Sequence, residues 1–99
     1  IPESITWQAS DSHHTTPQKA KAMMVSFWDG EEKTALRIDL WTKNMMVDEM
    51  SDFFYQTFLG MATTYQNATQ QQELSNYIKN FATEFYNKFR QLQLQQQKS

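Results

Sequence analysis

Alternating apolar and polar residues identify a β-hairpin in residues 22–43. In its second arm Leu36, Ile38 and Leu40 fall on one side of the strand, while larger and charged side chains fall on the other. Because strand side chains alternate with a period of two, one face is predicted to enter a core and the other to meet water or a partner. The first arm supplies a matching apolar set, formed by Met23, Val25 and Phe27.

Three strands are predicted, at residues about 4–9, 20–29 and 34–43. The two later strands form the hairpin. Its tip begins with Asp29 followed by Gly30, a turn dipeptide in which glycine accepts a positive φ at little cost. The polar run that separates the first two strands contains a proline and has no apolar period, so it is predicted to be a loop.

From Met46 onwards apolar residues recur at every third or fourth position, which predicts two helices at residues about 46–67 and 70–95. The stripes consist of Val47, Met50, Phe54, Phe58, Met61 and Tyr65 in the first helix and of Leu74, Tyr77, Ile78, Phe81, Phe85, Phe89 and Leu92 in the second. A connection this short makes two long helices antiparallel. The glutamine-rich end of the chain carries little apolar pattern and is expected to fray.

The sequence predicts a structural role for two residues of the helical region, Thr69 and Gly60. Thr69 and Gln72 fit a capping box, in which Thr69 is the N-cap of the second helix. Gly60 lies inside the pattern of the first helix, where glycine costs up to about 1 kcal/mol relative to alanine. The usual compensation is a close approach by a neighbouring helix or strand, so tight packing is expected at Gly60.

Strands followed by helices indicate an α+β fold. The predicted architecture is an antiparallel sheet of three strands, covered on one face by an antiparallel pair of long helices. Three strands are near the lower limit for independent stability, and a helical cover would remedy this. The chain of 99 residues suits one domain, which is predicted to span residues 1–99.

Composition and charge exclude several classes of protein. The chain has no cysteine, so it forms neither a disulfide framework nor a thiolate metal site. A formal net charge of −2 argues against a general nucleic-acid-binding surface. No apolar run approaches the roughly 20 residues that span a bilayer, and no signal segment opens the sequence. A cytoplasmic protein without membrane insertion is therefore expected.

The sequence assembles no metal site. Its two imidazoles, His13 and His14, are adjacent in the polar loop, with Asp11 nearby. Neighbouring side chains of an extended segment point in opposite directions, whereas metal ligands must converge. These residues are therefore predicted to be solvated loop residues, and no metal or cofactor is predicted.

Carboxylates cluster at the start of the first helix, at Asp48, Glu49 and Asp52. The positive end of the helix dipole accounts for acidic residues at this position. No nucleophile and base can be assembled around them. The sequence therefore predicts no catalytic residues and a protein that is not an enzyme.

One feature suggests function, namely the outer face of the hairpin. The candidate partner surface consists of Met24, Trp28, Arg37, Asp39, Trp41 and Lys43. Tryptophan beside arginine is a composition typical of interface hot spots. Arg37 and Asp39 are expected to pair across to the neighbouring strand. The preferred interpretation, ahead of a partner surface, is that a further strand or the polar loop of the same chain covers this face, because large apolar patches seldom stay exposed.

A family resemblance rests on residues 26–58, SFWDGEEKTALRIDLWTKNMMVDEMSDFFYQTF, and above all on LRIDLWTK followed by VDEM. This run resembles the gliding motility protein GldC family of Bacteroidota. Similar pieces flank it, PESITWQASD at residues 2–11 and TTYQNAT at residues 63–69. Family members usually carry an acidic residue and a proline where this chain has Asn44 and Met46. They also have a further strand upstream of the position of Ile1, which would complete a four-stranded sheet.

The resemblance implies a small soluble protein that assists gliding motility and has no established enzyme activity, so no catalytic residues carry over. We expect a non-enzymatic accessory or adaptor protein that acts through protein contacts with a component of the gliding machinery. The alternative is a small ligand-binding or enzymatic domain with a pocket between sheet and helices. A homodimer that pairs strand edges or the outer sheet faces is a further possibility, since an exposed edge is a ready pairing site.

Overall fold

The computed structural model describes residues 2–7 and 18–98. The elements run in the order β1 (Ile5–Trp7), β2 (Gln18–Ala20), β3 (Ala22–Asp29), β4 (Thr34–Trp41), α1 (Val47–Thr69) and α2 (Gln72–Lys98). Strands precede helices, and the predicted α+β class is confirmed. The chain divides into a strand unit, Ile1–Met46, and a helical unit, Val47–Ser99. The single domain spanning residues 1–99 stays a prediction.

The described strands form two antiparallel sheets of two strands each, β1 with β2 and β3 with β4. The sequence predicts three strands, so the structure differs in both number and grouping. The cause is a bend at Lys21 within the predicted strand 20–29. Ala20 before the bend pairs with Ile5, whereas Ala22 after it pairs with Trp41. The predicted strand 20–29 thus contributes to two strands, β2 and β3, which pair with β1 and β4 respectively.

The β3–β4 hairpin confirms the two arms that the sequence predicts. Directly opposed residues of antiparallel strands share a face. The register therefore places the apolar residues of both arms on one face, in the pairs Met23↔Leu40, Val25↔Ile38 and Phe27↔Leu36. This face is not the closed core that the pattern predicts, because Leu36, Ile38 and Leu40 are 40–57% exposed. Periodicity identifies a shared face but does not determine its burial.

The hairpin turn is stabilised by Asp29, which accepts two backbone hydrogen bonds. Lys33 N–H donates to the Asp29 carbonyl over 2.9 Å, and Glu32 N–H donates to Asp29 Oδ2 over 3.2 Å. The residue with a positive φ is Lys33, at 56°, and not Gly30 as the sequence predicts. The loop is longer than the tight turn that the dipeptide Asp29–Gly30 suggests. Its left-handed residue is therefore the last one of the loop, directly before β4.

Thr42 joins the end of β4 to the bend at Lys21. Its N–H donates to the Lys21 carbonyl over 2.7 Å, and its Oγ1 lies 3.0 Å from the same oxygen. Oγ1 also lies 2.7 Å from Asn44 Oδ1. A hydroxyl has one hydrogen, so it donates to one of these oxygens at a time. Thr42 is only 3% exposed, and these contacts satisfy a polar side chain that the fold buries.

The helices of the helical unit form the predicted antiparallel pair. Ring contacts join Tyr55 to Tyr86 and Phe58 to Phe85, so residue numbers fall along one helix as they rise along the other. Small side chains lie where the helices meet. Ala62 and Ala82 are fully buried, and Ser75 Oγ donates to the Ala62 carbonyl over 2.8 Å. These residues allow the two backbones to approach closely.

Four phenylalanines of the predicted stripes form a connected cluster. Phe58 contacts Phe54, Phe81 and Phe85, with ring centroids 6.0, 5.2 and 5.3 Å apart in edge-to-face arrangements. This geometry suits the quadrupoles of aromatic rings. Phe58, Phe81 and Phe85 thus bring the two stripes into contact. The stripes are contact faces only in part, because Val47, Tyr77 and Phe81 remain 51–75% exposed.

The junction between the helices differs from the predicted capping box. Thr69 is the last residue of α1, where its Oγ1 donates to the Tyr65 carbonyl and accepts from Gln71 N–H. Gln70 has a φ of 61° and donates its N–H to the Gln66 carbonyl, which ends α1 with a left-handed cap. Thr69 is therefore not the N-cap of α2, and the prediction is wrong, because α1 continues past residue 67.

Gly60 and the end of α2 also differ from expectation. A Cβ added to Gly60 would meet no other described atom within 4 Å, so the predicted close approach is absent there. α2 extends to Lys98, beyond the predicted end at residue 95.

Candidate interaction surface

The hairpin register brings five of the six predicted surface residues onto one face. Met24 lies opposite Asp39, while Trp28 lies opposite Ala35. The same face carries Met24, Trp28, Arg37, Asp39 and Trp41. We call this set the outer face. The alternation in the sequence was sufficient to predict its membership.

Lys43, the sixth predicted residue, lies beyond the end of β4 in a turn, so the strand register does not place it on the outer face. Its Nζ lies 3.7 Å from Glu3 Oε1, and both side chains are largely exposed. Exposed pairs of this kind contribute little to stability. The contact nevertheless places the segment before β1 beside the open end of the hairpin, which the sequence does not predict.

The two tryptophans of the outer face are unusually exposed for their size. Trp28 is 68% exposed and Trp41 is 45% exposed. They lie near opposite ends of the face, because Ala35, the residue opposite Trp28, is six positions along β4 from Trp41. Six residues of strand span roughly 20 Å. The large amphipathic rings of Trp28 and Trp41 thus lie on either side of the centre of the outer face.

Arg37 and Asp39 occupy that centre as an ion pair. Arg37 Nη2 lies 2.9 Å from Asp39 Oδ1, and Nε donates to Oδ2 over 3.3 Å. The partners lie on the same strand, so the expected pairing across to the neighbouring strand is wrong. Two residues apart on one strand, the side chains share a face and can reach each other. The hydrogen bond to Asp39, and then the charge of its carboxylate, raise the pKa of Arg37.

A small hollow adjoins the outer face. Its volume is about 180 Å³, and it is lined by Pro2, Asp39, Leu40 and Trp41. Ligand pockets are typically about 300–1,000 Å³, so this hollow suits a single side chain better than a cofactor. The sequence does not predict the position of Pro2, because it depends on how the segment before β1 returns to β4.

The helical unit has a larger groove of about 450 Å³. It is lined by Ser51, Phe81, Glu84, Phe85, Lys88, Phe89 and Leu92. The lining is mainly aromatic and aliphatic, and Glu84 and Lys88 are one helical turn apart on α2. Such a pair is typical of a solvated helix face. Nothing in this arrangement assembles a nucleophile with a base, and the ligand-binding alternative stays a prediction.

The carboxylates at the start of α1 are placed as the dipole argument predicts. Asp48 and Glu49 lie in the first turn. Asp48 and Asp52 also line a hollow of about 250 Å³ together with Arg90. Asp11, His13 and His14 lie outside the described residues. Within residues 2–7 and 18–98, no group of three or more potential ligands is arranged to hold a metal ion.

A comparison with protein families shows to which family the chain belongs. The family model for gliding motility-associated GldC-like proteins matches residues 2–91. The chain belongs to the GldC-like family. A search of curated proteins finds no match, and a search of solved structures finds none either.

Family membership confirms the resemblance and associates the chain with gliding motility. The match to GldC-like proteins continues through most of α2, although the sequence resemblance was specific only to residue 69. In the described part of the chain, no helix is long and apolar enough to cross a membrane.

The residues that carry the GldC resemblance have clear positions in the structure. LRIDLWTK, residues 36–43, forms most of β4 and continues through Thr42, while VDEM is the first turn of α1. Asn44 contacts Thr42. Met46 is 61% exposed and directly precedes α1. LRIDLWTK therefore contains Arg37, Asp39 and Trp41 of the outer face, together with Thr42.

Proposed function

We propose that this GldC-like protein is a non-enzymatic accessory or adaptor protein of gliding motility, and that it binds a protein component of the gliding machinery through its outer face. The observation that carries the proposal is the pair of exposed tryptophans, Trp28 and Trp41, on either side of the Arg37–Asp39 ion pair. A cytoplasmic location belongs to the same proposal.

The outer face has the composition of a protein interface. Tryptophan and arginine are enriched among residues that dominate binding energies, and the indole N–H adds a directional contact. Burying the exposed part of one such ring against a partner contributes on the order of 2–4 kcal/mol. Two rings, with a charged pair between them, are sufficient for a specific contact of moderate affinity.

The ion pair supports recognition rather than turnover. Arg37 and Asp39 are both about half exposed, at 50% and 42% of their side chains. Their mutual hydrogen bonds fix the orientation of both groups while leaving further donors and acceptors free for a partner. A neutralised pair at the centre of an aromatic face favours a partner with its own balanced charges.

The test is capture of partners from gliding cells with tagged wild-type protein and with the double variant Trp28→Ala/Trp41→Ala. If the proposal holds, wild type retains a motility component that the double variant loses, and cells with the variant glide less. Tyr77→Ala is the matched control, since Tyr77 is 66% exposed and belongs to α2 rather than to the hairpin. Circular dichroism must first show that both variants are folded.

A folded double variant that captures the same component and supports normal gliding would count against the outer face. Equal loss in the Tyr77→Ala control would instead show that any loss of exposed aromatic surface weakens capture. Either result would remove the outer face as the binding surface.

A further inference from the structure

The outer face is exposed at both of its ends and at its centre. Trp28 and Trp41 near the ends are 68% and 45% exposed. The side chains of Arg37 and Asp39 at the centre are 50% and 42% exposed. These values hold with the segment before β1 in place, although Pro2 lines a hollow beside Asp39 and Trp41. Large exposed apolar side chains grouped on one face typically mark an interaction site.

At each end of the outer face a tryptophan lies beside an alanine. The register pairs Trp41 with Ala22 at one end. It pairs Trp28 with Ala35 at the other. The two tryptophans belong to different strands, since Trp28 is in β3 and Trp41 is in β4. Both strands therefore carry one large side chain and one small one, at opposite ends.

A second copy of the chain fits this arrangement when the two outer faces pack against each other. A two-fold axis that lies between the faces and runs across the strands places β4 over β4 and β3 over β3, with each pair antiparallel. If the axis crosses β4 at Ile38, Trp41 faces Ala35 of the second copy. On β3, Trp28 then faces Ala22 of the second copy. A large side chain meets a small one at all four contacts, as a well-packed interface requires.

Charge selects this axis among the alternatives. With the axis at Ile38, Arg37 of each copy faces Asp39 of the other, so both central contacts are attractive. Moving the axis to Arg37 or to Asp39 brings two like charges together, which is costly in an interface. An axis along the strands would place Arg37 over Ser26 of the second copy. It would likewise place Asp39 over Met24, so neither charge would meet an opposite one.

We propose that the protein forms a homodimer in which the two outer faces pack against each other, around a two-fold axis across the strands at Ile38. The Arg37–Asp39 pairs of the two copies, each already held at 2.9 Å, meet at the axis and form a network of four charges. Such a network is more effective than an isolated exposed pair. Packed sheets lie about 10 Å apart and cross at about 30°, so the contacts nearest the axis are the closest.

The small size of the outer face makes this dimer reversible. The face spans roughly 20 Å along two strands that lie about 5 Å apart. Interfaces of less than about 1,200 Å² in total are typical of weak and transient complexes, so the Kd of the dimer is on the order of 10–100 μM. The second copy shields the tryptophans until a partner of higher affinity displaces it. The dimer goes beyond the proposed function and does not depend on it, because it needs only the chain itself.

Charge exchange tests the dimer. Arg37→Asp alone places acids opposite acids across the interface, and Asp39→Arg alone places arginines opposite arginines. Each is expected to raise the Kd of the dimer on the order of tenfold to a hundredfold, as measured by sedimentation equilibrium. The double variant Arg37→Asp/Asp39→Arg restores both attractive contacts and is expected to dimerise like wild type. Lys79→Asp on α2 is the matched control, with the same change of charge outside the hairpin.

Mixing the two single variants separates contacts between chains from stability within one chain. Each single variant keeps two like charges on its own strand, so mixing repairs nothing within a chain. Between chains, however, the mixture places acids opposite arginines at both positions, and a heterodimer is expected. A wild type that is monomeric at every concentration overturns the proposal, and so do single variants that dimerise like wild type.

Tryptophan fluorescence tests which face is buried in the dimer. The chain has three tryptophans, so Trp7→Phe leaves Trp28 and Trp41 as the emitting residues. Their emission is expected to move to shorter wavelength as the protein concentration rises through the Kd, because both rings leave water. Adding Arg37→Asp should move this change to higher concentration. A dimer that forms without a change in emission overturns the assignment to the outer face. These measurements use purified protein, so their failure leaves the capture of a gliding component to be decided separately.

Discussion

At the scale of single residues, Gly60 lowers the stability of α1, and no close packing at this position compensates for the loss. It lies inside the helix, it is exposed, and an added Cβ would meet nothing within 4 Å. Glycine loses more backbone entropy on folding than alanine does. We therefore predict that Gly60→Ala raises the free energy of unfolding by about 0.5–1 kcal/mol, as measured by chemical denaturation.

Ala62→Gly, two positions further along α1, is the control for Gly60→Ala. Ala62 is fully buried where the helices meet, so its truncation should lower stability. If Gly60→Ala lowers stability instead, a contact at this position forms in solution that the structure does not contain.

Lys33 is the residue at which the hairpin turn is strained. Its φ of 56° lies in the left-handed region, which costs a residue with a Cβ about 1–2 kcal/mol. We predict that Lys33→Gly relieves part of this and raises the free energy of unfolding by up to about 1 kcal/mol, since the greater freedom of glycine in the unfolded chain offsets the remainder. The thermal midpoint followed by circular dichroism measures it.

Gly30→Ala is the informative companion to Lys33→Gly. Gly30 has no positive φ, and an added Cβ meets no described atom within 4 Å. The substitution should therefore be neutral or slightly stabilising, although the turn dipeptide in the sequence suggests the opposite. A large loss of stability would show that the positive φ belongs to Gly30.

At the scale of elements, Thr42 determines how the hairpin closes at its open end. Its hydroxyl and its N–H both contact the Lys21 carbonyl, at the bend between β2 and β3. We predict that Thr42→Val, which keeps the shape but removes the hydroxyl, lowers the free energy of unfolding by about 1–2 kcal/mol in chemical denaturation. Thr42→Ser keeps the hydroxyl and should lose less. A larger loss for serine would show that packing of the methyl group matters more.

The sequence predicts the elements well where one period runs without interruption. The apolar stripes of α1 and α2 and the alternation of β3 and β4 each extend over several repeats, so single exceptions do not obscure them. The bend at Lys21 was not predicted, although the apolar positions change phase there, from Ala20 and Ala22 to Met23, Val25 and Phe27. Thr69 was misplaced because the same side chain can serve the end of one helix or the start of the next.

The candidate site was predictable in membership but not in its contacts. Alternation alone collects Met24, Trp28 and Trp41 on one face. It does not decide whether Arg37 pairs along its own strand or across to the next, because both partners lie within reach on the same face. Pro2 and Trp41 line the same hollow because the segment before β1 returns to β4, and local sequence patterns do not predict such a long-range arrangement.

At the scale of the whole molecule, the Thr42 contacts have a mechanical consequence. The chain enters the hairpin at Lys21 and leaves it at Thr42, so both ends of the hairpin emerge side by side. Tension applied along the chain would open such a hairpin like a zipper, with one pair of bonds loaded at a time. The first bonds to carry that load are those from Thr42 to the Lys21 carbonyl. If tension were applied at the two ends of the hairpin, the force needed to begin opening it would depend first on this buried threonine.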